Sequence, residues 1–152
     1  MQANLVTQTT PYGIIMGQVG IVLEPNWQAQ FHRAALVYPL PTSSSRVVGL
    51  LQLRGEIIPV FDPTDAGNLS EGRTTSHNVL VLLVDGKLLG VVVKDEPKPI
   101  ELRQSSNVGR PGCVFEQALF DPSLANDGSA MIWWRLEAPQ FFEQLSKEKS
   151  IA

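Results

Sequence analysis

The sequence predicts an all-β protein, a barrel or sandwich with little helix. Three observations lead there. Punctuation is dense, with 12 Gly and 11 Pro in 152 residues. The runs between these breakers are short and rich in β-branched residues or leucine, which suits strands better than helices. Two of those runs, "HNVLVLLV" and "KLLGVVVKD", are separated only by Asp85-Gly86, a dipeptide that strongly favours a tight hairpin.

The elements follow in chain order. "PYGIIM" (11–16) reads as the first strand and "VGIVLE" (19–24) as its partner. Gly17-Gln18 between them puts glycine first, as a type II′ turn requires. Pro25 then opens "PNWQAQFHRAAL". Proline is comfortable in a first helical turn, so 25–32 is predicted as a short helix, with Trp27 and Phe31 four apart on one face. "LVYPLPTSSS" (36–45) is an extended segment and loop, because residues ahead of proline avoid the helical region. "VVGLLQL" (47–53) and "EIIPVFD" (56–62) are two more strands, with Leu53 and Ile57 expected in the core. A long polar loop, 63–76, leads to the Asp-Gly hairpin over 77–84 and 87–95. Pro97 and Pro99 rule out a helix interior over 97–102. "AMIWWRLEAPQFFEQL" (130–145) reads as a last strand and then a short helix from about Pro139, burying Phe141, Phe142 and Leu145. Trp133 and Trp134 alternate in direction, so one faces the core and the other faces out or into a second core. The folded domain is expected over 11–145, with loose ends at 1–10 and 146–152.

Composition narrows the function. Apolar residues make up 43% and charged residues 18%, with 12 Lys+Arg against 15 Asp+Glu and a net charge of −3. A mildly acidic chain of this kind is a poor binder of phosphate backbones, so no nucleic-acid partner is expected. The longest apolar run, "VLVLLV" at 79–84, is far too short to span a bilayer, and "MQANLVTQTT" lacks the basic start and apolar run of a signal peptide. No direct membrane insertion is expected, and the reading is a cytoplasmic protein. The single cysteine, Cys113, permits no internal disulfide and reads as a small buried hydrophobe.

Few residues look catalytic. Asp62 and Asp65 in "FDPTDAG" are the best carboxylate pair, but the order Asp65-Ala66-Gly67 lacks the hydroxyl that steadies a catalytic aspartate in an aspartic protease. Both fit a turn opening a loop. His32 and His77 lie 45 residues apart with no CxxC anywhere, so neither a metal nor a cofactor is expected.

The stretch "VVGLLQLRGEIIPVFDP" (47–63) interrupts two aliphatic strands with Arg54, Gly55 and Glu56, then with Pro59. It resembles the signature of the CheW family of chemotaxis coupling proteins, matching at Gly49, Leu53, Arg54, Gly55, Ile57, Ile58, Pro59, Val60 and Asp62. Gln52 stands where that family usually has asparagine. The hairpin at 78–95, the first hairpin at 11–24 and the final strand and helix fit the same family, so the resemblance spans most of 11–145. It implies two intertwined SH3-like five-stranded β-barrels with one or two short helices, the second barrel inserted within the first. It also implies a non-catalytic adaptor of a chemotaxis or type IV pilus chemosensory pathway that binds the CheW-like regulatory domain of a CheA-type histidine kinase and the cytoplasmic tip of a chemoreceptor, and so is recruited to membrane-bound receptor arrays.

On that resemblance the partner-binding residues are Gln52, Arg54, Gly55, Glu56 and Trp27. Arg54 is expected at a groove between the barrels, or else as a structural arginine bonding loop carbonyls. Gly55 is expected to serve either a special backbone conformation or a close approach. The family usually carries an acidic residue after the first hairpin that pairs with this arginine; here the segment holds Gln28 and Gln30 and no carboxylate after Glu24. The competing reading is a small-ligand-binding or enzymatic barrel that uses Asp62 and Asp65.

Overall fold

Tyr12–Met16 (β1) and Val19–Leu23 (β2) pair antiparallel across Gly17-Gln18. Gly17 alone of the two takes a positive φ, +63°, the backbone of a type II′ turn. The computed structural model describes residues 10–40, 46–64, 73–104, 108–127 and 129–146. The 65–72 part of the polar loop and nearly all of the two predicted loose ends lie outside the described residues.

The remaining strands are Ala29–Val37 (β3), Val47–Leu53 (β4), Glu56–Phe61 (β5), Thr75–Val84 (β6), Lys87–Val92 (β7), Lys98–Pro99 (β8), Leu102–Gln104 (β9), Leu119–Ala125 (β10) and Ile132–Leu136 (β11). A short 3-10 turn covers Glu116–Ala118, and an α-helix, Ala138–Ser146 (α1), follows β11.

Two sheets result, in the orders β8-β1-β2-β11-β10-β9 and β3-β6-β7-β5-β4. Both close on themselves. In the first, β8 and β9 are two halves of one bent stretch; its start pairs with β1 and its end with β10. Five strand positions therefore complete the ring. In the second, Tyr38 just past β3 exchanges both backbone hydrogen bonds with Leu50 of β4, at 2.8 and 2.7 Å. The chain enters the second barrel after β2 and leaves it after β7, so the second barrel is inserted within the first.

Three apolar clusters fill this frame. Inside the second barrel lie Val37, Leu51, Ile58, Val60, Val79 and Val81. Inside the first lie Ile100, Ala125 and Trp133. The largest cluster lies between the barrels and takes Ile14, Ile21, Leu80, Val91 and Trp134 together with Phe115, Phe141, Phe142 and Leu145. Trp133 and Trp134 are 4% and 5% exposed, so alternation sends one into each of two cores. Helix α1 buries the three side chains expected of it, and Phe141 stacks edge-on against Phe115 at 5.0 Å and Phe142 at 4.9 Å.

Two expectations are corrected. No helix forms over 25–32; Trp27 N–H donates to the Glu24 carbonyl in a turn, and Ala29 onward is strand β3, paired with β6. Residues four apart share a face in a strand as well as in a helix, so Trp27 and Phe31 satisfied both periods, and the open edge of β6 decided. Ile57 is 66% exposed and not core, because only Ile58 of that aliphatic pair points inward, while Leu53 is half-buried. Strand β10 runs through "LFDPSLA", which carries no strand signal; a bulge between Phe120 and Ser123, with Asp121 at φ +48°, absorbs Pro122.

Candidate functional site

The interrupted stretch is a hairpin. Arg54 and Gly55 are the two central residues joining β4 to β5, with φ of +51° and +84°, the type I′ backbone. The Asp85-Gly86 turn has the same form, at +51° and +80°. A Cβ at Gly55 would meet no atom within 4 Å, so this glycine answers to conformation and not to close approach. Close approach governs Gly49 instead, where a Cβ would overlap the Tyr38 carbonyl oxygen that closes the barrel.

Arg54 is the unusual member. A residue with a Cβ in the left-handed region costs about 1–2 kcal/mol, a cost that asparagine, aspartate or glycine lowers. The guanidinium is exposed, and among the described residues no ion pair or hydrogen bond holds it. Gln52 and Glu56 are exposed beside it, and Ile57 sits opposite Gln52 in register. Cross-strand partners point to one face, so Tyr38, Leu50 and Pro59 stand abreast outside the barrel, with Gln52 and Ile57 one pair further on. Leu36 and Tyr38 are 53% and 44% exposed. An apolar strip thus runs across β3, β4 and β5 up to the Arg54 tip.

Beneath that strip β3 and β4 diverge. The groove between them, about 470 Å³, is lined by Phe31, His32, Leu36, Tyr38, Leu51 and Leu53, with Gln52 at its edge. His32 Nε2 is buried in it without a hydrogen-bond partner among the described residues. A buried polar atom left so costs about 1–3 kcal/mol.

Trp27 lies elsewhere, in a cleft of about 420 Å³ between the barrels, with Leu83, Phe120, Arg135 and Pro139. The arginine of this cleft is Arg135, not Arg54. Its Nε and Nη2 donate to the two carboxylate oxygens of Glu24 at 2.7 and 3.0 Å, and its guanidinium lies 5.2 Å from the Phe120 ring. Asp121 stands 3.7 Å away. The paired hydrogen bonds that Arg135 donates to Glu24 raise its pKa above the ordinary value. Sequence reading missed Arg135, since its partner is 111 positions away and nothing local marks the pair.

Asp62 is a turn residue. One carboxylate oxygen accepts the Thr64 N–H at 3.0 Å and the Thr64 hydroxyl at 2.8 Å. Asp65, its supposed partner, lies outside the described residues. Burial lowers the His77 pKa, partly offset by the charge of Asp62. Cys113 is half-buried, and burial pushes its thiol up, away from the reactive thiolate. No described helix is long and apolar enough to cross a membrane.

The predicted residues therefore fall in two places. Gln52, Arg54, Gly55 and Glu56 share the β4–β5 tip, and Trp27 sits in the inter-barrel cleft. Compared with known proteins, residues 9–111 match the family model for the CheW-like domain. Among solved structures, the scaffolding protein TtCheW from Thermoanaerobacter tengcongensis superposes with a TM-score of 0.63 at 15% identity, over 97% of this chain and 97% of that one. That likeness is one of fold. No curated protein matches the chain.

Proposed function

This chain belongs to the CheW-like domain family, and from that membership we propose that it is a non-catalytic adaptor coupling a chemoreceptor to a CheA-type histidine kinase. The observation that carries the reading is Arg54. An exposed arginine, unpaired among the described residues, occupies a left-handed turn position that a smaller residue would fill at lower cost. The Asp85-Gly86 hairpin, built on the same backbone, shows the cheaper solution within the same molecule. Retained strain at an exposed tip, beside the apolar strip of Leu36, Tyr38 and Ile57, supports a contact surface. Asp62 is engaged as a turn cap, which supports the adaptor over the ligand-binding or enzymatic alternative.

Titration against the CheW-like regulatory domain of the cognate kinase, and against the receptor's cytoplasmic tip, tests the reading at low and high salt. Apolar burial is not screened as exposed charges are, so affinity for the kinase domain is expected to change little with salt. Arg54→Asn should leave melting unchanged or raise it by up to about 1 kcal/mol in stability, while weakening partner binding by about tenfold or more. Failure to bind either partner at any salt removes the adaptor reading. Early melting of Arg54→Asn with normal binding of the folded fraction makes Arg54 a structural clamp.

A further inference from the structure

We propose that the opening between β3 and β4 accepts an extended, acidic-apolar peptide segment of a partner protein, added as a strand. The argument begins with the way the second barrel closes. Tyr38 and Leu50 exchange both backbone hydrogen bonds, and no other bridge joins β3 to β4 among the described residues. In an antiparallel ladder the next residues to face each other in this way lie two positions on, which are Leu36 and Gln52. Gly49, Leu51 and Leu53 pair on the opposite side with β5, so the Gln52 N–H and C=O point toward β3. Among the described residues they meet no strand there. Two backbone edges thus face a groove instead of each other.

The groove specifies its occupant. Free strand edges are satisfied by an extended backbone; a helix spends its own N–H and C=O groups internally. Leu36 and Tyr38, which line the groove from the outer face, suit apolar side chains at alternate positions of the incoming strand. The remaining positions meet His32, whose buried Nε2 lacks a partner among the described residues, and the Arg54 tip one residue beyond Leu53. Arg33 on the rim is already paired with Asp95 and Glu96. Among the described residues beside the groove, the uncommitted charge is that of Arg54, so a carboxylate on the incoming strand completes the site. Natural sheets blunt such edges with lysine or proline, and this edge carries neither at Leu36 or Gln52. The inference does not depend on the adaptor reading, since it rests on backbone geometry and not on family membership.

The test uses the full chain, labelled with nitrogen-15, and an N-acetylated, C-amidated hexapeptide alternating valine with glutamate. Amide shifts should change at residues 31–38 and 51–53. The same peptide with N-methylated valines, which has lost main-chain donors, should bind at least about tenfold more weakly, as should a valine–lysine version. Gln52→Pro removes the donor facing the groove, and Leu36→Glu places a like charge against the incoming glutamates; each should abolish the shifts without changing the far-UV spectrum. If Gln52→Pro fails to fold, Leu36→Glu alone decides. Equal binding by the N-methylated peptide, shifts confined to other residues or no shifts at all would overturn the proposal. So would concentration-dependent broadening of 31–38 in the peptide-free protein, which would assign this edge to a second copy of the chain. Loss of kinase binding with peptide binding intact would defeat the adaptor reading and leave this site standing.

Discussion

Gly49 and Gly55 stand six residues apart in one motif and do different work. At Gly55 the backbone is left-handed and the space around it is open. At Gly49 the backbone is ordinary, but the Tyr38 carbonyl occupies the place a Cβ would take. Gly55→Ala should therefore cost about 1 kcal/mol, the strain of a side chain at that φ. Gly49→Ala must push Tyr38 away from Leu50 and loosen the barrel closure, so it should cost about 2–3 kcal/mol, an overpacking loss. For a chain of this size that corresponds to a fall in melting temperature of roughly 4–12 °C. Denaturant unfolding of the two variants decides; a neutral Gly49→Ala would mean that the Tyr38–Leu50 closure is not rigid. The sequence marked both glycines through the motif, but which one needs space and which needs φ depends on a neighbour 11 positions away, at Tyr38.

Elements were legible where one period or one turn signal dominated. The hairpins turning at Gly17-Gln18 and Asp85-Gly86, the aliphatic runs of β4 to β7 and the burial of Phe141, Phe142 and Leu145 on α1 all follow from local spacing. Elements were lost where a local signal fitted two structures or where proline hid a strand. β3 carried apolar residues at a spacing that helix and strand share, and β10 carried Pro122 inside a bulge. Helix α1 also acts beyond its own length, because its buried face forms part of the core between the barrels. Phe141 is 0% exposed and meets two other rings there. Phe141→Ala should cost about 3–5 kcal/mol, the usual loss for emptying a buried aromatic site. Urea unfolding of the variant measures it, and a loss below about 1 kcal/mol would mean the helix only caps the core from outside.

The whole molecule is held by a core that neither barrel owns. Ile14 and Ile21 come from the first sheet, Leu80 and Val91 from the second, and all are at most 2% exposed. Separating the barrels would expose that cluster to water. Intact protein should therefore unfold in a single cooperative transition, with calorimetric and van't Hoff enthalpies that agree. Two resolved transitions, or a stable fragment ending near Ser76, would show that the barrels fold independently. By itself the sequence determined the strand-rich class, the hairpin registers, the inward alternation and the family motif, because these depend on turn chemistry and on periods within a few residues. Tertiary structure alone decided that both sheets close, that Trp134 enters the shared core while Trp133 enters the first barrel, that Glu24 pairs with Arg135, and that Arg54 stands uncommitted at a hairpin tip among the described residues. Those outcomes depend on which distant strands find each other, and contacts across 12 or 111 positions leave no mark on local spacing.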